Sequence, residues 1–126
     1  MTQSSQQQST IFVVNDSVAT ITLNQPKKHN AFDDHVINEL LAHLDLVANS
    51  PSIRILILKA EGKHFCAGAD LDWMKRMGQL DYAENRLDAQ NLAKLMSTLN
   101  TLPIPTVVKV QGAAYGGAIG LIACCD

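Results

Sequence analysis

The segment IRILILKA, residues 53–60, constrains the fold more than any other part of the chain. Its apolar residues do not alternate with polar ones, because Ile53, Ile55 and Ile57 would face one side of a strand while Leu56 and Leu58 face the other. A strand of this kind needs cover on both faces, which is the usual situation of parallel strands in α/β proteins. TVVKV, residues 106–110, repeats the pattern. Each run leads into a loop of small residues and then a helical pattern: HFCAGADLDWM at 64–74 and QGAAYGGAIGLIACCD at 111–126. The chain thus uses one device twice, a buried strand, a small-residue loop and a helix N-terminus, and an α/β fold is predicted.

The remaining elements fit this frame. Ile11–Val14 and Val18–Leu23 read as a hairpin around Asn15-Asp16-Ser17. Ile37, Leu40, Leu41, Leu44 and Val47 recur at helical spacing, with Asp33 as N-cap and Pro51 beyond the end. Leu71–Met77 starts a helix capped by Asp70, and Leu92, Leu95, Met96 and Leu99 mark another that Pro103 and Pro105 stop. With 126 residues and no linker inside it, the chain reads as one domain over 11–126 behind a disordered polar tail, residues 1–10. Val107–Cys125 is apolar enough to suggest a membrane span, but Lys109, Gln111 and four glycines make a strand, loop and helix the better fit. The last helix, begun near Gly117, leaves Leu121, Ile122, Cys124 and Cys125 in need of cover, so the chain reads as the first part of a larger fold.

A net charge of -2 without a basic stripe points away from nucleic acid and anionic membranes as partners. Three cysteines, two of them adjacent in an apolar run, suit reduced thiols and a cytoplasmic location. His29, His35, His43 and His64 form no metal-ligand spacing with them, so no metal is expected.

The two junctions carry the chemistry. The first N–H groups of a helix lack intrahelical acceptors and its dipole is positive there, so a carbonyl oxygen gaining charge is stabilised at such an end. Two junctions facing each other would form an oxyanion hole, with Ala67, Gly68, Ala69 and Gly116, Gly117, Ala118 small enough for close approach. The alternative is that these residues only let helices pack tightly on strands. Gly112 to Gly117 has the outer spacing of a phosphate-binding loop, but Ala118 follows where Lys-Ser/Thr is needed, and G-x-G-x-x-G is absent.

HFCAGADL and VVKVQGAAYGGAIGLIACCD, preceded by LNQPKKHNAF, resemble the enoyl-CoA hydratase/isomerase (crotonase) family over residues 11–126. The resemblance implies the N-terminal portion of a crotonase-type ββα spiral, in which the backbone N–H groups of Ala69 and Gly117 receive the thioester carbonyl of an acyl-CoA. It implies that Lys28, Asn30, Ala31, Ala67, Ala69, Asp70 and Leu71 line the coenzyme A path. No separate cofactor is implied, coenzyme A being part of the substrate, and the partners are the acyl-CoA thioester and further copies of the chain in a trimer or hexamer. The run CAGADLDWMKRM is closest to members that hydrate branched, methylglutaconyl-like acyl-CoA. One departure stands out: family hydratases carry a glutamate three residues after the oxyanion glycine, where this chain has Gly120, and their second glutamate is expected beyond Asp126. A non-catalytic module that binds acyl-CoA is therefore the alternative function.

Other residues read as structural. Glu39 and Glu84 fall on solvated helix positions, Asp70 is a helix cap before it is a base, and Cys66 is a small buried side chain. Trp73, Met74 and Met77 share helical spacing as core or as acyl-pocket wall, and Lys27 with Lys28 forms a solvated turn that could meet phosphates.

Overall fold

A computed structural model describes residues 8–126. Strands β1 (Thr10–Asn15) and β2 (Val18–Leu23) form the antiparallel hairpin, and β3 (Ile55–Ala60) and β4 (Thr106–Val108) extend it by parallel pairing in the order β1-β2-β3-β4. Helix α1 (Asp34–Ala48) connects β2 to β3, while α2 (Leu71–Met77) and α3 (Tyr82–Asn100) connect β3 to β4. Helix α4 (Gly117–Ala123) follows β4. Parallel neighbours need such crossovers, since a tight turn can only join antiparallel ones.

The helix ends follow the expected chemistry. The Asp33 side chain accepts from the Val36 N–H at 3.0 Å and the Asp70 side chain from the Trp73 N–H at 3.0 Å. Asp81 caps α3 in the same way through the Glu84 N–H. Val36, Ile37, Leu40, Leu44 and Val47 of α1 meet Ile21, Leu56 and Leu58 of the sheet, with Leu95, Leu99 and Leu121 completing the core. The void among these leucines measures only about 10 Å³, so the layer is closely packed.

Three expectations need correction. First, β3 is covered on one face only among the described residues: Leu56 and Leu58 are buried, while Ile55 is 37% exposed. The strand alternates after all, and its second face joins Val13 and Val107, 52% and 48% exposed, as an apolar surface. Second, α4 finds cover within the chain, since Ala118 and Leu121 are buried and Ile122, Cys124 and Cys125 are half-buried against the core. The Asp126 carboxylate accepts from the Thr106 N–H, and its own N–H donates to the Thr106 hydroxyl, tying the end of the chain to β4.

Third, the hairpin begins at Thr10, inside the stretch read as tail. Its N–H and hydroxyl both donate to Glu39 Oε1, at 3.0 and 2.6 Å, and its hydroxyl lies 2.8 Å from His43 Nε2. Glu39 thus leaves the solvated helix face assigned to it and anchors β1 to α1. Residues 1–7 of the expected tail lie outside the described residues.

Candidate active site

The two small-residue junctions lie against each other. Cys66 and Ala114 form a parallel bridge: the Cys66 N–H donates to the Ala113 carbonyl at 3.3 Å and the Tyr115 N–H to the Cys66 carbonyl at 3.1 Å. Upstream, the Phe65 N–H donates to the Gln111 carbonyl, His64 Nδ1 accepts from the Ala113 N–H, and Gln111 Nε2 donates to the carbonyls of Ala60 and Gly62. His64 and Gln111 carry no local signal of this role, because each bonds a segment about fifty residues away. Close approach is possible because Gly68 has φ +91° and a Cβ there would sit 2.9 Å from the Tyr115 carbonyl oxygen.

A third segment joins from the other side. The Ala67 N–H donates to the His29 carbonyl, the Phe32 N–H to the Gly68 carbonyl, and the Asp70 N–H to the Phe32 carbonyl. Asn30 holds this segment in place. It is buried at φ +57°; its Oδ1 accepts from the Gln25 N–H, and its Nδ2 donates to the carbonyls of Glu61 and His64. The Asn30 side chain, expected along the coenzyme A path, is therefore turned inward and fully engaged with protein.

Ala69 and Gly117 each lie three residues beyond the bridged pair Cys66 and Ala114. Among the described residues neither N–H has a hydrogen-bond acceptor; the same holds for Gly116 and Leu71 beside them, while Gly68, Asp70, Ala118 and Ile119 are paired. Free backbone donors at two adjoining helix starts can take a carbonyl oxygen as it gains negative charge.

Beside Ala69 opens a cavity of about 470 Å³ lined by Lys28, Ala31, Ala67, Ala69, Asp70, Leu71 and Asp72. Six residues proposed from the sequence are thereby brought together, while Asn30 and Gly117 lie outside the lining. A second cavity of about 310 Å³ shares Lys28 and adds Asn24 to Lys27. Lys28 Nζ is 3.1 Å from Asp70 Oδ2. Burial pushes the Asp70 carboxyl up, but bonds from the Trp73 N–H and the Lys28 ammonium outweigh this and hold it below the ordinary carboxylate range. A carboxylate held ionised, with both oxygens engaged, suits a cap and anchor better than a base.

Cys66 is fully buried, its Sγ donating to the Asn30 carbonyl and accepting from the Gly68 N–H. Burial pushes its thiol up, against the opposing Gly68 bond, which leaves it unreactive at neutral pH. Trp73 is buried and its ring lies 6.3 Å from that of Phe32, whereas Met74 is half exposed. No group of three or more metal-ligating side chains occurs among the described residues, nor any helix long and apolar enough to cross a membrane.

The fold and site define an α/β protein whose two small-residue junctions adjoin, with the unpaired Ala69 N–H beside a cavity. Residues 13–126 match the family described as enoyl-CoA hydratase/isomerase, and the chain belongs to that family. An enoyl-CoA hydratase from Shewanella pealeana superposes with a TM-score of 0.92 at 45% identity, covering 96% of this chain and 46% of that one. Among curated relatives, the mitochondrial enoyl-CoA hydratase domain-containing protein 2 of Bos taurus is 35% identical over 113 residues, covering 89% of this chain and 37% of its own length. The trans-2-decenoyl-acyl-carrier-protein isomerase of Streptococcus mutans is 32% identical over 117 residues, covering 92% and 44%. The chain spans less than half the length of these relatives. The fold is the crotonase fold that they share.

Proposed function

We propose that the chain supplies the carbonyl-holding part of an enoyl-CoA hydratase, in which the N–H groups of Ala69 and Gly117 receive the thioester oxygen of a 2-enoyl-CoA. The observation that carries this reading is the pair of acceptor-free N–H groups at the junctions joined through Cys66 and Ala114. In hydration, water oxygen bonds to the β-carbon, the double-bond electrons pass to the carbonyl oxygen, and a proton returns to the α-carbon as the carbonyl re-forms. The two donors stabilise the intermediate charge, each worth ~3 kcal/mol where such donors have been removed from other enzymes. The coenzyme A moiety follows the cavity along Lys28, Ala31, Ala67, Asp70 and Leu71, with the Lys27 and Lys28 ammonium groups near its phosphates. Asn30 serves by holding the loop. No further cofactor takes part in this scheme.

A carboxylate must handle the proton and the water. Gly120 provides none, Glu39 is bonded to Thr10, and Asp70 is engaged with Lys28 and Trp73. Gly120 thus favours a second reading, an acyl-CoA binding module without turnover. The branched, methylglutaconyl-like acyl group is the narrower form of the proposal and rests on the likeness of the run CAGADLDWMKRM to members that take such groups, Gly120 itself being packed against Met96. Cytoplasmic location and assembly of copies into a trimer or hexamer belong to the same proposal; the apolar outer face at Val13, Ile55 and Val107 supports association.

Crotonyl-CoA labelled with ¹³C at the thioester carbonyl tests these readings. A downfield carbonyl shift on binding that Ala69→Pro removes supports the donor pair, since proline has no N–H. Hydration, read as loss of the enoyl absorbance, separates enzyme from binding module. An Ala69→Pro chain that folds normally and binds with an unchanged carbonyl shift refutes the role of Ala69.

A further inference from the structure

His64 ties the two junctions together by a bond unlike the others between them. Among the described residues, the rest are bonds between amide groups: the Phe65 N–H to the Gln111 carbonyl, the Cys66 N–H to the Ala113 carbonyl, the Tyr115 N–H to the Cys66 carbonyl, and Gln111 Nε2 to the carbonyls of Ala60 and Gly62. Amide groups do not titrate, so none of these depends on pH. The remaining tie is the Ala113 N–H, which donates to His64 Nδ1 at 3.0 Å. A backbone N–H can only donate, so this bond requires a neutral imidazole with its proton on Nε2 and a lone pair on Nδ1.

The ring is closely held on several sides. Gly112 takes φ +62°, and a Cβ there would strike the Lys63 carbonyl and come within 2.8 Å of His64 Nδ1. Asn30 Nδ2 donates to the His64 carbonyl, and the His29 ring stands edge-on to the His64 ring at 5.0 Å. Of the segments packed against the ring, the 26–29 turn brings His29, with Lys27 and Lys28 before it, and residues 111–113 bring no titratable group. Glu61 and Lys63 flank His64 on its own segment, and among the described residues no carboxylate forms an ion pair with it. A protonated ring would set an Nδ1–H against the Ala113 N–H, two donors at hydrogen-bond distance. Ring and loop must then separate. The loop carries Ala114, paired with Cys66, and then Gly117 at the start of α4, so its displacement moves the Gly117 N–H.

We propose that neutral His64 is a positioning residue for the thioester-binding donors, acting through Ala113, and that its protonation withdraws the Gly117 N–H and weakens acyl-CoA binding. The inference rests on the donor-pair reading and adds to it a control by pH.

His64→Asn supplies the test, because its Oδ1 stands as many bonds from Cβ as Nδ1 does and accepts in acid as in base. Crotonyl-CoA labelled with ¹³C at the thioester carbonyl is titrated into the 126-residue chain and its variants between about pH 8 and about pH 5, the span in which an imidazole changes charge. The readout is the ratio of His64→Asn affinity to parent affinity at each pH, since the probe's phosphates and His29, His35 and His43 belong to both titrations. This ratio should rise from about one at the upper end to about ten at the lower end, the effect of one lost hydrogen bond. The bound carbonyl resonance should move back upfield over the same span in the parent alone. His64→Leu, which has no acceptor, should bind weakly at both ends; if it fails to fold, the asparagine ratio decides. A ratio that stays at about one across the span, or a folded His64→Leu chain that binds like the parent at the upper end, overturns the inference and leaves the donor pair standing. If the carbonyl resonance does not shift on binding even at the upper end, the donor-pair reading fails and this inference with it.

Discussion

Replacing Gly117 by alanine should damage the site through Phe32. A Cβ at this position falls on Phe32 Cζ and comes within 3.2 and 3.4 Å of the ring's Cε1 and Cε2. The ring cannot easily withdraw, because Phe32 is only 4% exposed and Trp73 stands behind it. Overpacking of this kind costs ~1–3 kcal/mol, and the helix propensity gained on leaving glycine, at most ~1 kcal/mol, offsets it only in part. The strain is relieved most readily by moving the start of α4 away from Phe32, which carries the Gly117 N–H with it. An oxyanion donor must lie ~2.7–3.1 Å from its acceptor, so thioester affinity should fall about tenfold. Urea unfolding gives the stability change and titration with crotonyl-CoA gives the affinity. Phe32→Leu supplies the control: it is destabilising alone, yet combined with Gly117→Ala it should recover ~1 kcal/mol or more beyond additivity. An unchanged urea midpoint for Gly117→Ala, or strict additivity in the double variant, refutes the argument.

Gly120→Ala should behave differently, since a Cβ there meets Met96 Cε at 3.1 Å and Sδ at 3.3 Å, the flexible end of a long side chain; stability by urea midpoint should stay within ~1 kcal/mol of the parent. Burial pushes the His43 pKa down from 6.5 against the opposing pull of Glu39, so the unfolded chain takes up the proton first and stability should fall as pH drops below 6.5 towards the folded value. His43→Gln should make that slope shallower in urea midpoints measured across this range. Asn30→Ala leaves the Gln25 N–H and the Glu61 and His64 carbonyls without their partner and places alanine at φ +57°, for a loss of ~3 kcal/mol. Asn30→Gly keeps the conformation and loses only the bonds, so thermal unfolding of the two variants separates these contributions.

The parts of this structure legible in the sequence are those with a local cause. Asp33 and Asp70 precede apolar helical patterns, and each closes its helix through the N–H three residues on. The repeated strand, loop and helix set small residues at two helix starts, and the family resemblance singles out Ala69 and Gly117 among them. Helix α3 was legible only from Leu92 onward. Its first two turns, from Tyr82, are almost wholly exposed and show no apolar stripe, so nothing after Asp81 marks it as a cap.

What was illegible depends on partners distant in the chain. Nothing near Thr10 announces Glu39 and His43, and nothing near Asn30 announces the carbonyls of Glu61 and His64. The covered and open faces of β3 could not be told apart for the same reason: Ile57 and Leu58 are nearly equal in hydrophobicity, and only the packing of α1 and α3 assigns one of them to the core. The candidate site combines both cases. Its donors are backbone groups that any residue supplies, so their identity as free donors comes from what surrounds them: the Phe32 backbone and Cys66 Sγ engage the groups of Gly68 and Asp70, the Tyr115 and Gly116 carbonyls engage the N–H groups of Ala118 and Ile119, and the N–H groups of Ala69 and Gly117 are left without acceptors. A substitution at such supporting residues, Phe32 among them, should therefore lower crotonyl-CoA affinity without altering either donor residue.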